Sequence, residues 1–154
     1  MRRLFALLLV SFALPALAVV PVAPRMSNAP PAPPVDAWID VQFDDLDVYA
    51  GRYRAAFEDE LARYQDAPRD LIAQLRASGW SQGDIYAACL VGRTAGRPCR
   101  VVAEVWTLDR GQRWDSVAAH FGIAAGSNAL ERMKIAIKST YQRSGRPLAV
   151  PRPD

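Results

Sequence analysis

The sequence predicts an all-α fold, a compact orthogonal array of five to six short helices with helix-turn-helix-like units. Three observations carry this. Apolar residues recur at helical spacing from Leu46 onward. Helix-capping residues and Gly or Pro stops alternate through the same region. Two stretches, Gly79-Trp-Ser-Gln-Gly-Asp-Ile85-Tyr-Ala87 and Gly111-Gln-Arg-Trp-Asp-Ser-Val117-Ala-Ala119, repeat one pattern at an offset of 32 residues. In each, a Gly leads to a β-branched apolar residue and then an Ala, as at a helix start.

The chain opens with Arg2-Arg3, an apolar run from Leu4 to Leu14, Pro15, and the small-residue site Ala16-Leu17-Ala18. This is the pattern of a cleaved secretory signal over residues 1–18, with Val19 as the first mature residue. A membrane anchor needs about 20 apolar residues, and Pro15 and Pro21 interrupt the run. The mature chain is therefore expected to be periplasmic or secreted, with no membrane span. Residues 19–35 contain six prolines and read as an extended spacer. A helical domain is expected over 36–145 and a disordered tail over 146–154.

Within the domain, Trp38 to Phe43 alternates in polarity and reads as extended. The first helix is expected from Asp45 to Tyr64, with Leu46, Tyr49, Ala50, Tyr53, Phe57, Leu61 and Tyr64 on one stripe. Asp44, Asp45 and Asp47 would sit at its start, where the helix dipole favours negative charge. Asp66 and Pro68 start the second helix, which carries Leu71, Ile72 and Leu75 and ends before Gly79. Ser81 caps the third, with Asp84 in a capping-box position and Trp80 and Ile85 as a hydrophobic staple. Gly96 stops it, and Gly92 weakens it by up to about 1 kcal/mol. Pro98 opens the fourth, with Val101, Val102, Val105 and Trp106 inward. The fifth spans about Arg113 to Phe121, with Gly122 as a left-handed stop. Asn128 and Glu131 cap the sixth, whose stripe is Leu130, Met133, Ile137 and Tyr141.

Charge is distributed unevenly. Asp36 to Asp70 holds ten acids against four Arg, a net −6, whereas Leu71 to Asp154 holds six acids against twelve bases, a net +6. Such asymmetry either attracts a charged partner or lets the two halves neutralise each other on folding. The second reading is preferred. Two charges interrupt apolar stripes, Glu60 in the first helix and Lys134 in the last. The expectation is that they meet as a buried ion pair; otherwise each lies at a helix edge with its charged end in water.

Cys89 and Cys99 are the only cysteines, and export would place them where pairing is favoured. A bond across so short a loop would stabilise by about 2.5 kcal/mol in the chain-entropy model. The alternative is a pair of small apolar core side chains. Cys89 is expected about a turn and a half before its helix ends, which sets the Cα atoms far apart for a disulfide.

Recognisable enzyme constellations are sparse. His120 is the only histidine, and a metal site needs three or four ligands. Counted from Asp45, an EF-hand would need Gly and Glu where the chain has Ala50 and Ala56. Ser116 and His120 lack a nucleophile elbow. No cofactor is called for. Glu60 and Glu104 are the carboxylates a small cell-wall glycoside hydrolase would use, though neither lies in a glycosidase motif.

Val117-Ala118-x-x-x-Gly122-Ile123 resembles the turn of DNA-binding helix-turn-helix proteins, and Arg132, Lys134, Lys138 and Arg143 on the following helix are phosphate-binding residue types. The signal segment and the long Ile123–Asn128 turn argue against nucleic acid as a partner. Gly111-x-x-Trp114-x-x-Val117-Ala118-x-x-Phe121-Gly122-Ile123 also resembles a segment of uncharacterised exported bacterial helical proteins. That resemblance implies a small exported helical domain and brings no catalytic residue. The functional expectation is a non-catalytic domain that binds another envelope macromolecule, a protein or a cell-wall polymer. Trp38, between the spacer and the first helix, is the candidate contact. N-terminal sequencing of the exported protein should read from Val19; a chain still beginning at Met1 would rule out cleavage.

Overall fold

A computed structural model describes residues 36–150; the expected signal segment 1–18, the expected spacer 19–35 and residues 151–154 lie outside the described residues. These residues form seven helices and no strand: α1 (Ala37–Arg52), α2 (Arg54–Tyr64), α3 (Arg69–Ala77), α4 (Gln82–Ala95), α5 (Cys99–Leu108), α6 (Trp114–His120) and α7 (Asn128–Arg143). No helix among them is long and apolar enough to cross a membrane.

The core is built around α4. Every residue from Ile85 to Gly92 is buried, so this stretch of the helix has no solvent face and needs cover on all sides. It packs against α1, α3, α5, α6 and α7. Its ends follow local chemistry. Ser81 Oγ accepts from the Asp84 amide at 3.0 Å, and Gly96 takes the left-handed C-cap at φ +67°. Trp80, just ahead of the cap, is buried edge-to-face on Trp106 with ring centroids 5.3 Å apart.

Seven helices appear where five to six were expected, because the predicted first helix is two. The segment Trp38–Phe43 is helical rather than extended. Asp36 Oδ1 accepts from the amides of Trp38 and Ile39 at 3.1 and 3.2 Å, which starts α1 well before Asp45. Ile39, Phe43, Leu46 and Ala50 then follow at helical spacing into the core. Asp44, Asp45 and Asp47 consequently lie mid-helix, away from the positive end. Tyr53, at φ −124° and ψ 50°, breaks the helix and starts α2. Phe57 and Leu61 remain buried beyond the break, whereas Tyr53 and Tyr64 are exposed.

Three smaller differences follow from local geometry. Asp66 does not cap α3. It sits in the left-handed region at φ +52°, a conformation Asp tolerates, and Pro68 precedes the helix without a side-chain cap. Ser127, not Asn128, caps α7, accepting from the Leu130 amide at 3.1 Å. On α5, Val102, Ala103 and Trp106 face inward, whereas Val101 is exposed and Val105 only half-buried.

Cys89 and Cys99 form a disulfide with their Cα atoms 4.2 Å apart. The separation expected from helix lengths is overcome by Gly92. A Cβ there would lie 2.8 Å from Arg97 O and 3.3 Å from Cys99 Cα, so only Gly lets α5 start this close to α4. Gly83 does the same on the opposite side, where a Cβ would meet Phe43 O at 2.7 Å. The residue that weakens α4 as a helix is thus required by its packing.

The segment 146–150, expected to be frayed, is fastened to α1. Gln42 Nε2 donates to Ala149 O at 2.9 Å, and the Ala149 amide donates back to Gln42 Oε1 at 3.1 Å. Arg146 pairs with Asp45 and stacks on Tyr49, 4.1 Å from its ring centroid.

Gly92→Ala should lower the unfolding free energy from denaturant titration by on the order of 1–3 kcal/mol through overpacking and reduce the disulfide-bonded fraction on a thiol-alkylation gel. Gly51→Ala, inside α1 with nothing within 4 Å of the added Cβ, should instead stabilise by up to about 1 kcal/mol. Equal effects at the two sites would contradict the packing described.

Candidate binding grooves and the ionic frame

The two oppositely charged halves meet. Of the ten ion pairs among the described residues, six join an acid of 36–70 to a base of 71–146: Asp36–Lys134, Asp40–Arg113, Asp45–Arg146, Glu58–Arg76, Glu60–Arg143 and Asp70–Arg100. Partly exposed pairs of this kind are worth about 0–1 kcal/mol each. Their combined role is to orient α1 and α2 against the rest. Asp47 adds a further clasp, its Oδ1 accepting from the Gln82 and Gly83 amides at 2.7 and 3.2 Å at the α4 N-terminus.

The expected Glu60–Lys134 pair is replaced by two others. Glu60 binds Arg143, whose Nε lies 3.1 Å from Oε2. Lys134 binds Asp36 at 2.7 Å and Glu131 at 3.1 Å. The Lys134 ammonium is held above its ordinary pKa by the hydrogen bond to Asp36 and then by that to Glu131.

Glu60 also terminates a buried hydrogen-bond chain of fixed polarity. Thr140 Oγ1 donates its one proton to Glu60 Oε1 at 2.8 Å, so Tyr86 must donate to Thr140 across 2.8 Å. Gln65 Nε2 donates in turn to the Tyr86 oxygen at 3.5 Å. Burial pushes the Tyr86 phenol well above its ordinary pKa, so it remains a donor. A cavity of about 200 Å³ touches this chain and is lined by Glu60 as its only carboxylate.

Glu104 lies elsewhere, on the rim of a groove of about 480 Å³ between α3 and α5. The apolar side of that groove comes from Leu71, Leu75, Trp80 and Ala103, with Leu108 at its edge and 88% exposed. Its polar lining includes Gln74 and Arg100, which hydrogen-bond each other at 3.2 Å. Arg110 also lines it and lies 4.0 Å over the Trp80 ring. Glu104 is the only carboxylate in this lining. An apolar floor with a few convergent polar groups is the usual make-up of a ligand groove.

A second groove, of about 370 Å³, runs between α4 and α7, lined by Leu90, Arg93, Thr94, Arg132, Ile135 and Ser139 among others. A third, of about 610 Å³, lies between α1 and the segment at 149–150, lined by Val41, Asp44, Asp45, Val48, Ala149 and Val150.

The remaining candidates are placed as follows. Trp38 is half-buried against the core, with Lys138 Nζ 5.8 Å from its ring centroid. Ser116 and His120 are exposed on α6, and the His120 ring packs beside Phe121. No group of three or more His, Cys, Asp or Glu suited to a metal occurs among the described residues. Two of the four bases on α7, Lys134 and Arg143, are already paired with acids. The grooves escaped sequence reasoning because residues such as Leu108 and Val48 continue apolar patterns and give no local sign of pointing outward. Comparison with protein families, curated proteins and solved structures finds no match to the chain.

Asp44 is the one acid of α1 without a hydrogen bond or ion pair among the described residues, and its pKa is raised by desolvation and then by Asp40 and Asp47. A carboxyl whose folded pKa exceeds its unfolded value binds protons more readily when folded, so stability falls as pH rises through that range. Asp44→Asn should therefore raise the thermal midpoint at pH 7, and the gain should vanish below about pH 3.8. Thermal melts across that pH range test this, and a gain unchanged at low pH would refute it.

Proposed function

We propose that this chain is an exported, non-catalytic binding domain whose α3–α5 groove receives an apolar segment of another envelope macromolecule. The observation that carries the reading is Leu108, 88% exposed at the edge of the groove lined by Leu71, Leu75 and Trp80. A large aliphatic side chain held in water beside an apolar floor marks a surface that gains by being covered. The apolar floor favours a protein segment over a cell-wall polymer, and Gln74, Arg100, Glu104 and Arg110 supply polar contacts at its rim.

Export is supported by the signal-like residues 1–18 and by the Cys89–Cys99 bond, which is compatible with an oxidising compartment. The orthogonal, helix-turn-helix-like arrangement read from the sequence belongs to the same proposal, with α6 and α7 packing the core and leaving nucleic acid aside. Pairing of Lys134 and Arg143 with acids supports that choice. Most glycoside hydrolases place two carboxylates about one bond, although one can suffice. Glu60 and Glu104 line separate cavities, each as the only acid.

A photo-crosslinking residue at position 108 of the tagged protein in intact cells should capture one partner protein. The same residue at exposed position 54 on α2 should not. Leu108→Glu should reduce capture of that protein, by a second cross-linking site at 104, without lowering the thermal midpoint. Equal recovery from positions 108 and 54, or none from 108, would sink the proposal.

A further inference from the structure

The α4–α7 and α1–tail grooves are independent of the α3–α5 surface, and they complement each other. On α7, Ile135 is 61% exposed, and Arg132 lies three residues before it. Arg132 lines the same groove and makes no ion pair among the described residues. Arg93 in the same lining is also without an ion pair among the described residues, whereas six other bases of the C-terminal half are matched to acids of the N-terminal half. On the other surface, Val48 is 75% and Val150 81% exposed around a hollow of about 610 Å³ that Val41 and Asp44 also line. One surface carries an exposed isoleucine beside unpaired cations. The other is an apolar socket beside an unpaired anion.

We propose that the protein self-associates head to tail, with Ile135 of one copy seated among Val41, Val48 and Val150 of a second copy and Arg132 of the first paired with Asp44 of the second. Both surfaces occur on every molecule at equal concentration, and each supplies the charge that the other lacks. The contact covers large exposed aliphatic side chains that are otherwise held in water. It also brings a guanidinium to the carboxyl that Asp40 and Asp47 crowd. Because the two surfaces differ, the contact is heterologous, and repetition builds either a ring or an open chain. Its electrostatic part weakens with salt as the Debye length falls to about 3 Å near 1 M.

Sedimentation velocity of the mature, disulfide-bonded protein tests this directly. The weight-average mass should rise with concentration at low salt and fall back in about 1 M salt. Asp44→Arg and Arg132→Asp should each weaken association at least about tenfold, since each places like charges across the contact. Ile135→Ser should weaken it with less change in salt dependence. An equimolar mixture of the two charge variants should associate again, because every contact between unlike chains then joins opposite charges. The double variant should do so by itself. Circular dichroism would establish that each variant remains helical; Asp44 and Arg132 are exposed and unpaired, so their replacement leaves the core intact. A wild-type mass of one chain at all concentrations and salts would overturn the proposal. So would association that the single variants leave unchanged, or single-variant losses that mixing does not reverse.

Discussion

The fold rests on the burial of α4 on all sides. An uninterrupted apolar run, Ile85 to Val91, has no polar face to offer water. The stable solution is to surround it, and five of the other helices do so. Two glycines set how closely the cover fits. Gly83 admits the backbone of α1 and Gly92 admits the start of α5. The disulfide then fastens the second of these approaches, where the backbones are already in contact. Hydrophobic burial provides the driving force; the missing side chains provide the geometry.

Electrostatics settles orientation. An apolar core tolerates small rotations of its covering helices, but an ion-pair set does not, because its members must meet at particular turns. Acids of α1, its N-cap and α2 meet bases on α3, α7 and the two segments at 113 and 146, and Asp70 of α3 meets Arg100 of α5. Each pair is weak taken singly, and the set distinguishes this arrangement from others of similar apolar area. The buried chain from Gln65 through Tyr86 and Thr140 to Glu60 extends the same frame inward. Its single allowed direction of proton donation links α2, α4 and α7.

Legibility in the sequence divides along the same line. The Ser81 cap, the Gly96 and Gly122 stops and the apolar stripe of α7 rest on chemistry within a few residues, and they appear where local rules place them. The mutual neutralisation of the two halves was also readable, because it depends on totals. The partners within that neutralisation were not. Lys134 and Arg143 are nine residues apart, about 13 Å along a helix, and which one reaches Glu60 depends on how α7 slides against α2. The break at Tyr53 was hidden because Phe57 and Leu61 keep the helical spacing across it. The packing role of Gly92 was hidden for a related reason: its cost is local to α4 and its benefit comes from Cys99, seven residues on. The grooves have no sequence signature, since an exposed Leu108 and a buried Leu90 look alike in a pattern.

The clasp between Gln42 and Ala149 spans 107 residues. Gln42 is fully buried, so its amide needs protein partners, and Ala149 meets both ends of it. Of the seven helices α1 is made before the others, yet this clasp and the Asp45–Arg146 pair form only after all of them have been made. Until residues 146–149 arrive, Gln42 Oε1 lacks its donor and Asp45 its arginine. The order of synthesis and the order of fastening therefore run opposite to one another for α1.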